Sequence, residues 1–525
     1  MAVNLKDHEL LKRRSAGVLL PLSAMRGRTD WGCGDMSSFK EWIKYLSAQR
    51  VKMLQILPIN ETAPSEYCPY SALSAYALDP VYISIADIPE AQICPVVKQM
   101  IADLADEISF WRGEKTVQFK YIKIAKYKVL WAAYECFLER EQAHNTPRYE
   151  SFIEFQQKNN HWLVPYTIFR AAKDLTGWSS WKHWENSFKN TDVEFLKNFA
   201  AEHGKQMMFF SYLQWLIQQQ LADVRAFAGE TGVLILGDIP FGVNYDSADV
   251  WANQRKYILD AEIGAPGDAL AEAGQKWGLP AYNWPDIMAN NFNLWRGKIR
   301  RSCELYDAFR LDHLVGFFRT WIFEDGNAKG HYDLKDEAQQ KNRGEKFLDA
   351  VVESAGGKLP IGEDLGMIPD YLRAFMKEIH LPGYKVLRWE KDNEVYREPA
   401  KYPIASLAAT STHDTTMLKE WWETMPDWQR ANVWEMISAQ KTDGKISFTP
   451  QVHRAILRRV LDSASCMVVV PLQDVVGVST RINTPGTVNE ENWTFRVPFE
   501  PVEFHAKYTE EMQTFAELIE SSGRF

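Results

Sequence analysis

Arg310-Leu311-Asp312-His313 closes the apolar run that begins at Tyr306-Asp307-Ala308-Phe309. In an extended segment an Arg two residues before an Asp lies on the same face, where its guanidinium can hold the carboxylate ionised and fix its direction. That is how a nucleophilic or charge-stabilising carboxylate is prepared. Alone, such a pair is more often an ion pair tying a strand end to its loop. Here the pattern repeats. Apolar runs also end in acids at Asp238, at Glu363-Asp364, at His413-Asp414 and at Asp474. If these ends share one rim, Asp312, Glu363 and Asp414 meet over a single cavity. Three carboxylates and a histidine suit glycosyl transfer: one attacks or stabilises the anomeric carbon, a second protonates the leaving oxygen, and a third holds sugar hydroxyls or distorts the ring. The same acids could instead hold a divalent cation. The sequence contains neither an HExxH motif nor an EF-hand loop, so no metal is expected.

The elements that must carry these groups alternate. Gly17 to Leu22 reads as a buried strand, and Phe39, Trp42, Ile43 and Leu46 follow at helical spacing, with Ser38 and Glu41 placed as a capping box. Val51 to Leu57 reads as the next strand. From about Ile88 to Phe227 the segments are mostly helical, among them Lys120 to Glu141 and the helical repeat Phe209, Tyr212, Leu213, Leu216. Strand and helix alternate again from Gly232. Leu372, Phe375, Met376 and Ile379 mark one of the later helices.

Acids at the ends of successive strands predict a (β/α)8 TIM barrel, in the α/β class, with large, mainly helical insertions. The 51 residues from Asp312 to Glu363 exceed the roughly 31 per unit of a 250-residue barrel, so the connecting loops must be enlarged. The expected divisions are 1–87 for the first part of the catalytic barrel, 88–228 for the helical insertion, and 229–525 for the rest, with an active-site loop around 251–284.

Composition narrows the partners. The chain has 525 residues, 46% of them hydrophobic, and a formal charge of -9 without a basic cluster, which argues against nucleic acid or an anionic membrane surface. Pro21 and Arg26 interrupt the apolar run after Lys12-Arg13-Arg14, so neither a secretion signal nor a membrane span is expected. Six cysteines without any C-x-x-C spacing read as reduced thiols in a cytoplasmic protein. The 20 tryptophans suit a sugar ligand, whose C-H faces pack on aromatic rings, although Trp42, Trp131 and Trp215 read as core. Trp277, between Gly274-Gln275 and Gly278-Leu279-Pro280, reads as a loop residue free to face a ligand, or else one packing that loop onto the barrel.

Together the motifs resemble the amylomaltases, or 4-alpha-glucanotransferases, of the α-amylase clan. The resemblance runs from about Ser15 to Arg496 and includes Cys68-Pro69-Tyr70-Ser71, Gly237-Asp238-Ile239-Pro240, Asp246-Ser247-Ala248-Asp249-Val250-Trp251, Gly274-Gln275-Lys276-Trp277-Gly278, Arg310-Leu311-Asp312-His313, Gly362-Glu363-Asp364-Leu365-Gly366, Thr412-His413-Asp414 and Arg481-Ile482-Asn483-Thr484-Pro485-Gly486-Thr487. It implies that Asp312 is the nucleophile, Glu363 the general acid/base, Asp414 the transition-state stabiliser and Arg310 the group orienting Asp312. Tyr70, Asp246, His413 and Asn483 match positions that contact glucosyl units, and Trp277 lies in the family's loop over the cleft. The implied substrates are malto-oligosaccharides, α-1,4-glucans and glucose, with no cofactor; the rival activities are plain α-glucan hydrolysis and silent glucan binding. Three departures bear on acceptor choice and loop geometry: Cys68 replaces a Ser before Pro-Tyr, Leu22-Ser23-Ala24-Met25 replaces a His-Pro-Thr-Ser-Leu-like start, and Gly264-Ala265-Pro266-Gly267-Asp268 lacks the second Pro of a Pro-Pro-Asp loop.

Overall fold

The computed structural model describes residues 4–267, 274–327 and 329–525. Eight parallel strands close a barrel: β1 (Ser15–Leu19), β2 (Met53–Gln55), β3 (Leu234–Ile239), β4 (Ala308–Leu311), β5 (Leu359–Gly362), β6 (Gly383–Val386), β7 (Ser406–Ala409) and β8 (Met467–Pro471). Each strand pairs with the next in sequence, and β8 returns to β1 with Ser15 opposite Met467 and Leu19 opposite Pro471. Every residue of β2, β4, β5, β7 and β8 is buried, as helices on the outside and side-chain layers inside require of parallel strands. That is why these strands read as mainly apolar runs, broken by Gln55, Arg310 and Ser406, and why the acids gather at their C-terminal ends. At Gly237 a Cβ would stand 2.1 Å from the Tyr306 ring, so only glycine lets β3 lie close enough for Asp238 to fall opposite Arg310.

Helix α1 (Met36–Ala48) buries Phe39, Trp42, Ile43 and Leu46 together. The expected capping box is corrected: Asp35 is the cap, accepting the Ser38 N–H at 3.0 Å, and Ser38 lies inside the helix. Glu41 turns outward to Arg28. Asp35 wins because its carboxylate reaches both the N–H and the hydroxyl of Ser38, a stronger acceptor than a serine hydroxyl offers.

From Pro89 to β3 the chain is mainly helical, with α2 (Phe119–Phe137), α3 (Pro147–Leu175) and α4 (Gly204–Thr231) as its long members. Helix α2 ends in a single π turn, Leu138–Gln142. Helix α4 packs on both α3 and α1 and enters β3 through Gly232 at φ 70°, so the expected boundary at 228 falls inside a helix that serves insertion and barrel alike. Buried charges tie the insertion to the loop after β2. Lys123 meets Asp79 at 2.7 Å, Arg170 meets Glu61 at 2.9 Å, and Tyr127 and Tyr166 also donate to Glu61. Breaking one partner of such a buried set costs about 3–5 kcal/mol. These contacts hold the loop that brings Tyr70 over the rim.

A second sheet flanks the rim, antiparallel and ordered Gln275–Tyr282, Tyr257–Ala265, Trp321–Glu324, His331–Tyr332. Trp277, expected in a loop, therefore lies on a strand. Gly274, Gly278 and Pro280 gave that stretch a loop-like composition, but pairing with Tyr257–Ala265, through register shifts around Glu262, overrides local preference. The tip of the expected 251–284 loop, residues 268–273, lies outside the described residues, and Asp268 of the altered loop with it. Among the described residues no helix is long and apolar enough to cross a membrane.

Candidate active site

Arg310 is the hub of one side of the rim. Its NH1 donates to both oxygens of Asp238 at 2.8 Å, and its NH2 lies 2.8 Å from Asp312 Oδ1 and 3.4 Å from Glu363 Oε2. Asp238 lies near the end of β3, Arg310 sits on β4, Asp312 follows β4 and Glu363 follows β5, so neighbouring barrel strands deliver all four. The second oxygen of Asp312 accepts the Phe241 N–H at 3.2 Å. Glu363 takes the N–H of His313 at 2.8 Å on Oε2 and that of Leu365 at 3.1 Å on Oε1. His313 can aim its amide this way because it adopts a left-handed conformation, φ 48°, a strained choice for a side chain branched only at Cγ but still bulky.

One guanidinium serves three carboxylates here. Burial raises Glu363, and the charge of Asp312 raises it further; Arg310 and the two amides only partly oppose this, leaving it at about 7. Asp238 is likewise raised, first by burial. Glu363, which faces the cleft, can therefore carry a proton up to about neutral pH.

The other side is built differently. Asp414 follows β7 and is 42% exposed, yet it falls to about 2: burial pushes it up, but His413 beside it and the Asn483 amide outweigh burial. His413 Nε2 stands 3.1 Å from Asp414 Oδ2, and Asn483 Nδ2 donates to Oδ1 at 2.7 Å. Burial lowers the basicity of His413, and Asp414 more than restores it. Tyr70 joins the two sides. Its hydroxyl donates to Asp238 at 2.7 Å and lies 3.1 Å from His413 Nε2, while its ring stacks on the imidazole at 5.5 Å.

These groups open into one cleft of about 900 Å³, lined by every expected site residue except Asp246. Asp246 is placed elsewhere: its carboxylate accepts from Lys173 on α3 at 2.5 Å and from the Trp181 N–H at 3.1 Å. Asp238 occupies the inner position. The sequence signal for it was present, an acid ending the run Gly232 to Asp238. Trp493, whose ring lies 5.6 Å from Tyr70, had no such signal. Trp277 meets the His313 ring edge-on at 4.9 Å and faces the cleft from its strand. Cys68 also lines the cleft, where burial pushes its thiol up to about 12 and keeps it protonated. Among the described residues no three His, Cys, Asp or Glu side chains converge as a metal site.

A model of the 4-alpha-glucanotransferase family matches residues 20–501. The chain belongs to that family. It is thus a glycosyltransferase acting on α-1,4-glucans. A 4-alpha-glucanotransferase of Chlamydia pneumoniae is 29% identical over 508 residues, which cover 94% of this chain and 93% of that one. One of Synechocystis sp. is 28% identical, covering 93% and 94%. Among solved structures, an amylomaltase from Streptococcus agalactiae in complex with acarbose superposes with TM-score 0.83 at 22% identity, over 98% of this chain and all of that one. An amylomaltase from Corynebacterium glutamicum gives 0.82 at 21%, over 100% of this chain and 77% of its own. These structures share the barrel fold. As a family member, the chain presents two electrostatically distinct carboxylate sets to one cleft, an arrangement able to supply a proton from one side and a fixed negative charge from the other.

Proposed function

We propose that this 4-alpha-glucanotransferase works by two displacements with net retention. Asp312 attacks C1 of the donor unit; the bond from C1 to the leaving 4-oxygen breaks, and that oxygen takes the proton of Glu363. The 4-hydroxyl of glucose or another malto-oligosaccharide then attacks C1, its proton passes to the Glu363 carboxylate, and the ester bond to Asp312 breaks. Asp414, held ionised by His413, stabilises the positive charge that grows on the sugar ring in both steps. Asn483 and Tyr70 fix the flanking groups.

The observation that carries this reading is the shared nitrogen. Arg310 NH2 touches one oxygen of Asp312 and one of Glu363, so those oxygens stand no further apart than the sum of the two contacts. That suits the roughly 5–5.5 Å of a retaining pair better than the about 6.5–9.5 Å that an inverting site leaves for water. Glu363 held at about 7 supports the acid role, since a donor must be protonated at working pH yet able to release. The family's substrates, a helical insertion spanning 88–228 that props the Tyr70 loop, and a reducing cytoplasmic setting for the six free cysteines belong to the same reading.

The test is a trap. Glu363→Gln incubated with an α-maltotriosyl fluoride, whose leaving group needs no proton, should accumulate a maltotriosyl ester seen by mass spectrometry on the peptide carrying Asp312. An ester on Asp414, or none in a variant that still consumes the fluoride, would overturn the assignment.

A further inference from the structure

The nucleophile has two oxygens, and only one of them is held by Arg310. The other accepts the Phe241 N–H, and Phe241 belongs to a short loop, Pro240 to Gly242, with no side-chain charge of its own. What keeps that amide aimed at Asp312 is therefore a separate question from what keeps Arg310 in place.

The loop is held from the far side. The Tyr282 hydroxyl donates to the Phe241 carbonyl at 2.7 Å, and Lys298 Nζ donates to the Tyr282 hydroxyl at 3.2 Å. A phenol has one proton, so with Lys298 supplying a hydrogen bond to its oxygen, the Tyr282 hydroxyl is directed onto the carbonyl. Both side chains are almost wholly buried, at 3% exposure for Tyr282 and 2% for Lys298. The Lys298 ammonium lies 4.6 Å from the Trp295 ring centroid, and Asp249 supplies the compensating charge. Burial drives Lys298 down to about 8 against the pull of Asp249, so at neutral pH it keeps its donors. A charge buried there without reaching substrate is costly and marks a positioning task. Packing adds to it. A Cβ on Gly242 would come 2.5 Å from Leu279 Cδ1, so the loop already rests against the strand that carries Tyr282, and the Phe241 ring meets the His313 ring edge-on at 5.3 Å. Strand Gln275–Tyr282 thus touches the loop at two points, and the loop touches both Asp312 and the turn whose amide holds Glu363.

We propose that Lys298 and Tyr282 are positioning residues for the nucleophile, acting through the Phe241 main chain: they hold its carbonyl, and its N–H, on the preceding peptide group, fixes the oxygen of Asp312 that Arg310 does not hold. The inference rests on the assignment of Asp312 as nucleophile. Neither residue touches the cleft, since neither lines it.

The experiment compares Tyr282→Phe, Lys298→Met and the double variant with wild type, using maltotriose and α-maltotriosyl fluoride as donors. Tyr282→Phe keeps the ring and removes only the hydroxyl. The first-step rate should fall about tenfold with both donors, because the lesion lies at the nucleophile and not at the proton donor, while KM stays within about twofold. Lys298→Met should lose somewhat less. The double variant should lose no more than Tyr282→Phe alone, since Lys298 acts only through that hydroxyl. Additive losses, a loss confined to maltotriose, or unchanged rates in Tyr282→Phe would each overturn the proposal. Asp312→Asn, run in parallel, separates the two readings: an active Asp312→Asn removes the nucleophile assignment itself, whereas an inactive one beside an unchanged Tyr282→Phe removes only the relay. If Lys298→Met does not fold, Tyr282→Phe decides alone.

Discussion

The two sides of the rim hold the same chemical group in opposite states. On the β4 and β5 side, Asp238, Asp312 and Glu363 compete for Arg310, and Glu363 rises to about 7. On the β7 side, Asp414 is paired with His413 and bonded by Asn483, and it falls to about 2. Glu363 is the more buried of the two, 13% exposed against 42% for Asp414, and to that difference is added the ratio of carboxylates to positive partners. A site with too few cations sheds excess negative charge by keeping a proton, and the group that keeps it is able to donate it. A carboxylate with its own partner stays charged and can meet a developing cation.

The comparison can be broken most severely at Arg310. Arg310→Met leaves three carboxylates facing each other, and transfer should fall at least about 10³-fold. Losing the cation raises the folded-state pKa values of its partners, so the variant binds more protons when folded than wild type. Its stability deficit should therefore be small near pH 5 and grow to about 3–5 kcal/mol by pH 8. Urea denaturation at the two pH values measures this, and a deficit independent of pH would contradict the shared-cation account.

A smaller effect sharpens it. The first-step rate of wild type should decline as pH rises through about 7, where Glu363 loses its proton. Asn483→Ala removes a 2.7 Å bond to Asp414 and should slow transfer about tenfold, yet leave that limb where it was. Movement of the limb by as much as half a pH unit would mean that the two sides titrate together.

The smallest change concerns the strand above both. Trp277 meets the His313 ring edge-on and lines the cleft. Trp277→Ala should keep overall turnover within a few-fold while the ratio of hydrolysis to transfer rises roughly three- to tenfold, because an aromatic surface that seats the acceptor also covers the ester from water. Free reducing ends measured against redistributed oligomers at fixed maltotriose give the ratio. An equal loss of both activities with a lowered Tm would return Trp277 to a packing role.

The sequence by itself pointed to the barrel and singled out three acids, which the structure brings to one cleft. Strands buried on both faces are mainly apolar, so a charge that follows one is conspicuous, and Asp312, Glu363 and Asp414 stand out by contrast with what precedes them. Arg310 was legible too, since its relation to Asp312 is a matter of two residues along a strand. What depended on long-range pairing was not. The strand carrying Trp277 exists only because a segment ten or more residues away accepts its hydrogen bonds, bulges included. Asp35 displaced Ser38 as a cap because two acceptors were in reach and their competition is settled by geometry. Asp246 and Asp238 lie eight residues apart in one segment, both next to motif residues, and only the pairing of Asp246 with Lys173 separates them. The proton on Glu363 is likewise tertiary. It follows from how many carboxylates reach one guanidinium, and that number is fixed by strands from distant parts of the chain meeting at one rim.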